Sequence, residues 1–118
     1  MARRDLTGAV DFAYLENFAA GDVQVVEEVL GLFREQALLW SALLDPAAEG
    51  WADALHTIKG ASRGVGAFVL GDACAQAEAK GAGGLDGVRD ALDAALSDIA
   101  AYLHELALKS LKAPGGYS

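Results

Sequence analysis

The sequence predicts an all-α fold, an antiparallel four-helix bundle with a short N-terminal helix packed across one end. Two observations support this prediction. Alanine and leucine number 25 and 17, whereas valine, isoleucine and threonine together number only 12, a balance that favours helices and leaves few β-branched residues for a sheet. Apolar residues also recur every three or four positions along four segments, and each such stripe needs a partner to bury it. Because the connections are short, neighbouring helices run in opposite directions.

The first two elements follow from apolar spacing and from residues that start and stop helices. A short amphipathic segment is closed by Gly21, and its apolar residues are Phe12, Leu15, Phe18 and Ala19. The first long helix begins after Asp22, a natural N-cap, and ends at Asp45-Pro46. Its stripe consists of Val26, Leu30, Phe33, Ala37, Trp40 and Leu44.

The next two predicted helices are separated by a bend. One runs from Glu49 or Trp51 to Ala67, and the bend lies around Gly64 to Ala67. The other covers residues 68–80. The stripe of the first consists of Trp51, Leu55, Ile58, Ser62 and Val65.

A glycine-rich turn leads to the last helix. The turn contains Gly81, Gly83, Gly84 and Gly87. The last helix extends to about Lys112, and residues 113–118 are predicted to form a loose tail. Its stripe consists of Val88, Leu92, Ala95, Leu96, Ile99, Leu103 and Leu106. The chain, residues 1–118, is of a size typical of a single domain.

Charge and cysteine content exclude several classes of protein. Lysine and arginine number 9 against 17 acidic residues, for a net charge of −8, whereas nucleic-acid binding needs clustered basic residues. The single cysteine, Cys74, cannot form a disulfide within the chain and is best interpreted as a small core residue. The first residues lack the apolar run of a signal peptide, and no uncharged stretch is long enough to span a membrane. The sequence therefore predicts a cytoplasmic protein.

Residues 55–67 depart from the pattern of the other helices. They include Gly60, Gly64 and Gly66, and a glycine inside a helix costs roughly 1 kcal/mol relative to alanine. When the apolar stripe of this helix faces the core, the opposite face carries four residues at i, i+3, i+4 and i+7. These residues are His56, Lys59, Gly60 and Arg63. An imidazole, an ammonium group and bare backbone thus meet on the surface.

This arrangement is suited to holding a phosphoryl group on a histidine. An exposed histidine such as His56 is mostly neutral near pH 7 and keeps one ring nitrogen free as a nucleophile. Lys59, one turn further on, can donate to phosphate oxygens, and Gly60 leaves the imidazole open to a second protein. Arg63 can add a second cation or contact an acidic rim. Asp53, at i−3, can orient the ring of His56 through its other nitrogen, but it is better interpreted as a solvated acid.

The same residues resemble the signature of a known family. The string His56-Thr57-Ile58-Lys59-Gly60-Ala61-Ser62, followed by Gly66-Ala67 and Leu70, is similar to the motif of histidine-containing phosphotransfer (HPt) domains, roughly H-x-x-K-G-small-small-x-x-x-G-A-x-x-L. Members of this family have about this length and are four-helix bundles with an N-terminal helix across one end. The resemblance covers nearly the whole chain. Arg63-Gly64 stands where members often carry asparagine or another small residue.

The resemblance implies a function and roles for its residues. His56 would accept a phosphoryl group from the aspartyl phosphate of one receiver domain and pass it to the aspartate of another. Lys59 would stabilise the phosphate, Gly60 would give the receiver access, and Arg63 would take part in docking. The implied partners are response-regulator receiver domains and a hybrid histidine kinase.

The implied protein is a phosphoryl carrier rather than an enzyme. It would need no cofactor of its own, because the receiver domain would hold the Mg²⁺ used in transfer. A polar surface around a bundle of this size favours a monomer.

Two alternatives arise from single motifs, and a third concerns the role of the whole protein. Residues 60–66 also resemble the glycine-rich cofactor loop of short-chain dehydrogenases, but that loop follows a β-strand, and a helix precedes it here. His104-Glu105 begins like a zinc-protease motif, yet Leu108 stands where the second histidine is needed, so His104 is predicted to be a solvated surface residue. The third alternative stays open: a small helical adaptor that docks signalling proteins around His56 without carrying phosphate.

Overall fold

The computed structural model describes residues 8–112, and the predicted all-α class is confirmed. The helices are α1 (Phe12–Phe18), α2 (Val23–Leu43), α3 (Trp51–Val65), α4 (Phe68–Lys80) and α5 (Leu85–Lys112), with a 3-10 turn at Ala82–Gly84. Helix α3 packs against α2 and α4, and α5 closes the bundle between α4 and α2. Consequently α3 and α5 lie diagonally opposite each other. The predicted tail, residues 113–118, lies outside the described residues.

Most helix ends coincide with the predicted start and stop signals. Asp22 caps α2, because its Oδ1 accepts hydrogen bonds from the backbone N–H groups of Gln24 at 3.0 Å and Val25 at 3.3 Å. Helix α2 ends at Leu43, shortly before Asp45-Pro46. The bounds of α4 match the predicted range.

Three details of the prediction are wrong. Helix α3 ends at Val65 rather than Ala67, because Gly66 adopts a left-handed conformation with φ 90°. Gly87 lies in the first turn of α5 and not in the glycine-rich turn. The side chain of Phe18 is 74% exposed. Phe18 lies about 120° around α1 from the buried Phe12, which places it off the face that contacts the bundle.

The predicted stripes meet in one hydrophobic core. All six stripe residues of α2 are buried, and the stripe of α3 is buried except for Trp51, which is half-buried. Along α5, the residues Val88, Leu92, Ala95 and Ile99 are buried, whereas Leu96, Leu103 and Leu106 pack at the edge of the core. Tyr102, which lies outside the predicted stripe, is also buried.

A buried carboxylate holds the N-terminal segment against the bundle. Asp98 of α5 is fully buried, and its Oδ2 accepts hydrogen bonds from the N–H groups of Ala9 at 2.8 Å and Val10 at 3.3 Å. One turn further along α5, the ring of Tyr102 stacks on that of Phe12 with 4.1 Å between centroids. These contacts fix the start of α1 on α5.

The surface of α2 is less polar than expected from the sequence. Leu32, Leu38 and Leu39 are mostly exposed, because α2 carries leucines on both sides of its buried stripe. The prediction of an uninterrupted polar surface is therefore wrong for this helix. Within residues 8–112, no helix combines the length and the apolar character needed to cross a membrane.

The left-handed turn at Gly66 predicts a large effect of one methyl group. A Cβ at this position would lie 2.5 Å from the backbone carbonyl oxygen of Asp11. In addition, the φ angle of Gly66 is 90°, a value that residues with a side chain rarely adopt. We expect Gly66→Ala to lower the free energy of unfolding by about 2 kcal/mol, measured by urea denaturation. Gly64→Ala is the control, because Gly64 is helical and a Cβ there meets no described atom within 4 Å outside its own helix.

For this control we expect a gain of roughly 0.5–1 kcal/mol from helix propensity. Similar losses in the two variants would contradict the special role of the turn.

Burial controls the chemistry of Cys74. The side chain is fully buried on α4, as predicted, and burial, followed by the charge of Glu78, raises the pKa of its thiol to about 11. We expect a thiol reagent at pH 8 to leave Cys74 unmodified in the folded protein and to react only as fast as the protein unfolds. Modification rates measured at increasing urea concentrations test this expectation. Fast modification without denaturant would contradict it.

Candidate functional site

Helix α3 buries one face and exposes the other, and the exposed face carries three of the four residues singled out in the sequence, His56, Gly60 and Arg63. Leu55, Ile58 and Ser62 are fully buried, whereas the side chain of His56, on the far side of the helix, is 81% exposed. A Cβ at Gly60 would meet no described atom within 4 Å outside its own helix. The surface next to the imidazole is therefore open.

The connection between α3 and α4 decides which residues lie beside this face. Gly66 and Ala67 alone separate the two helices, which therefore form a tight antiparallel hairpin. In a hairpin, residues at similar distances from the turn lie opposite each other. Arg63, near the end of α3, has its Nη2 3.8 Å from Oδ1 of Asp72, near the start of α4. The same register places Glu78 of α4 opposite the first half of α3.

Glu78 approaches both polar side chains at the centre of the site. Its Oε1 accepts a hydrogen bond from Nζ of Lys59 at 2.5 Å, and its Oε2 lies 3.7 Å from Nδ1 of His56, just beyond hydrogen-bond distance. The hydrogen bond from Lys59 is the main reason that the pKa of Glu78 is lowered, and His56 contributes less. The site therefore holds an ionised carboxylate beside its histidine.

Lys59 does not lie on the open face in the way the helical spacing suggests. Its side chain is 25% exposed, and its ammonium group points across the groove between α3 and α4 to Glu78. The carboxylate within 4 Å of the His56 ring, among the described residues, is that of Glu78 and not that of Asp53. Asp53 itself is exposed in the first turn of α3.

Glu78 was not identified from the sequence. Nineteen residues separate it from Lys59, so no local spacing relates them. A partial signal does exist: once the turn is placed at Gly66 and Ala67, pairing residues outward from it puts Glu78 opposite Leu55, next to His56 and one helical turn from Lys59. Placing that turn requires knowing that Gly66 is left-handed, which spacing alone does not reveal.

Arg63 lies across α4 because Gly71 leaves it room. A Cβ at Gly71 would be 3.0 Å from Cγ of Arg63, tighter than ordinary van der Waals contact. The guanidinium group reaches Asp72, and the side chain is about half exposed. Arg63 is thus held in one direction while part of it stays accessible.

An apolar stripe of α2 borders the site on its other side. Leu32, Leu39 and Leu43 are exposed and, at i, i+7 and i+11, lie on one side of the helix. Leu38 lies on the opposite side, where it lines a groove with Leu96 of α5. Because α2 packs between α3 and α5, the stripe of three leucines lies towards α3.

Comparison with known proteins identifies the family. No protein-family model matches the chain, and no curated protein matches it. The chain is similar to a solved structure, the crystal structure of histidine phosphotransferase ShpA from Caulobacter crescentus. The two sequences are 68% identical, the match covers 89% of this chain and 100% of the other, and the TM-score is 0.83. The family predicted from the motif is confirmed: the chain belongs to the histidine phosphotransferases.

Proposed function

We propose that this protein is a phosphoryl carrier of a two-component phosphorelay and that His56 is the residue that carries the phosphoryl group. The observation that supports this most directly is the exposed ring of His56 on a helix face left open by Gly60. Similarity to a histidine phosphotransferase supports the same class of chemistry. The donor is the aspartyl phosphate of one receiver domain, and the acceptor is the aspartate of another.

The transfer exchanges one bond to phosphorus for another. The lone pair on Nε2 of neutral His56 attacks phosphorus, and an N–P bond forms as the P–O bond to the donor aspartate breaks. The aspartate leaves as a carboxylate with the electron pair of that bond. We assign Nε2 because Nδ1 is the nitrogen on the Glu78 side of the ring. Transfer to the second receiver reverses these steps.

The receiver domain supplies much of the chemistry. It provides the Mg²⁺ and the in-line geometry, and this chain provides a positioned nucleophile and a surface for docking. Lys59 donates to the phosphate oxygens. Arg63, half exposed beside Asp72, contacts the acidic rim of the receiver. The exposed leucines of α2 add apolar area that a partner covers when it docks.

Phosphoryl transfer to three forms of the protein tests the role of His56. Wild type, His56→Ala and His104→Ala are incubated with a radiolabelled phosphorylated receiver domain of the same organism. We expect wild type and His104→Ala to gain a label that is stable in alkali and lost in acid, as for a phosphoramidate, and His56→Ala to gain none. His104 is the matched control, because it is an exposed histidine on α5.

The free energy of unfolding of His56→Ala is expected to stay within about 0.5 kcal/mol of wild type, since the side chain is exposed. A label on His56→Ala, or none on wild type with any receiver of the organism, would overturn the proposal and favour the helical adaptor.

A larger side chain at Gly60 tests whether this face meets the receiver. Gly60→Leu is expected to slow transfer by about tenfold or more, equivalent to 1.4 kcal/mol of activation free energy, by obstructing the approach to His56. The fold is expected to gain stability, because leucine is a better helix former than glycine. Gly87→Leu, on the exposed surface of α5, is the control and is expected to transfer at the wild-type rate. Transfer at an unchanged rate by Gly60→Leu would contradict docking over this face.

A further inference from the structure

We propose that Glu78 is a positioning residue that raises the phosphoryl-transfer potential of His56, because it is the counter-ion of Lys59 when no phosphoryl group is bound. This inference rests on the proposed function of His56. It concerns the equilibrium between the phosphorylated and the unphosphorylated protein. It adds no covalent step to the transfer between aspartyl phosphate and His56.

The geometry connects the three side chains. Lys59 and Glu78 form an ion pair of 2.5 Å between Nζ and Oε1. The other oxygen of the same carboxylate is 3.7 Å from the ring of His56. Lys59 is thus held within the site, yet it already has an anionic partner.

A phosphoryl group on His56 competes with Glu78 for this ammonium group. The group brings about two negative charges and three acceptor oxygens within reach of Lys59, one helical turn away. Lys59 has three N–H donors and can contact both groups, but its single positive charge is then divided between the phosphate and Glu78, which weakens the ion pair. The unphosphorylated protein keeps the full ion pair, so the phosphorylated form is disfavoured relative to a site without this carboxylate. A phosphoryl group held in this way is released more readily to a receiver.

The neighbouring charges do not replace Lys59 in this competition. Arg63, the next cation along α3, is directed towards Asp72, with 3.8 Å between their charged groups. Asp53 is an exposed acid at the start of α3, and it is not the carboxylate that approaches the His56 ring among the described residues. The Lys59–Glu78 pair is therefore the contact that phosphorylation must rearrange.

The experiment measures the distribution of phosphate between this protein and a receiver domain. Wild type, Glu78→Gln and Asp90→Asn are each mixed with a receiver phosphorylated by radiolabelled acetyl phosphate and then freed of it. The ratio of phosphohistidine to aspartyl phosphate is read before the aspartyl phosphate hydrolyses. Asp90→Asn removes the same charge from the exposed surface of α5, the helix diagonally opposite α3.

For Glu78→Gln we expect the ratio to shift towards phosphohistidine by about two- to fivefold, the range that one part-exposed ion pair supports. Asp90→Asn is expected to leave the ratio unchanged. In a Lys59→Ala background the Glu78→Gln shift is expected to be largely lost, because the pair no longer exists to be broken. A purely structural role of Glu78 would change the free energy of unfolding without changing the ratio.

The outcomes separate this inference from the proposed function. No label on wild type overturns the proposed function, and this inference with it. Label on His56 with the same ratio in wild type and Glu78→Gln overturns only the role of Glu78. An equal shift in Asp90→Asn, or an undiminished shift in the Lys59→Ala background, also overturns that role.

Discussion

The left-handed turn at Gly66 is the constraint on which the geometry of the site depends. It stops α3 at Val65, the last buried residue of that helix, and lets α4 begin at Phe68. The carbonyl oxygen of Gly66 accepts a hydrogen bond of 2.8 Å from the N–H of Asp11. This bond connects the start of α1 to the turn between α3 and α4. A longer or differently shaped turn would change the register of the hairpin, and Lys59 would then meet a different residue of α4.

Helix α3 meets two opposing requirements. Its inner face must be apolar enough to hold the helix in place, and Leu55 and Ile58 are fully buried there. Its outer face must stay bare, and Gly60 and Gly64 keep it so at a cost of roughly 1 kcal/mol each in helix propensity. Tertiary packing offsets this cost, since the stability of a helix in a protein comes mainly from burial of its apolar face.

Charge around the site is balanced locally although the chain is strongly acidic, with a net charge of −8. Lys59 is paired with Glu78, and Arg63 faces Asp72. Such part-exposed pairs contribute little stability, so exchanging one for a new partner changes an equilibrium by only about a few-fold. This property suits the proposed function, in which the same cations contact first a phosphoryl group and then a receiver.

The sequence by itself determined the helical class, the bounds of most helices, the buried stripes and the exposed face of α3 with His56, because all of these follow from a local repeat of 3.6 residues and from capping residues. It also carried the motif by which the family was predicted. Only the tertiary structure decided that Glu78 lies against Lys59, that Asp98 holds the N-terminal segment and that Phe18 is exposed. The physical reason is that contacts between distant residues depend on turn geometry and helix register, which no local periodicity specifies.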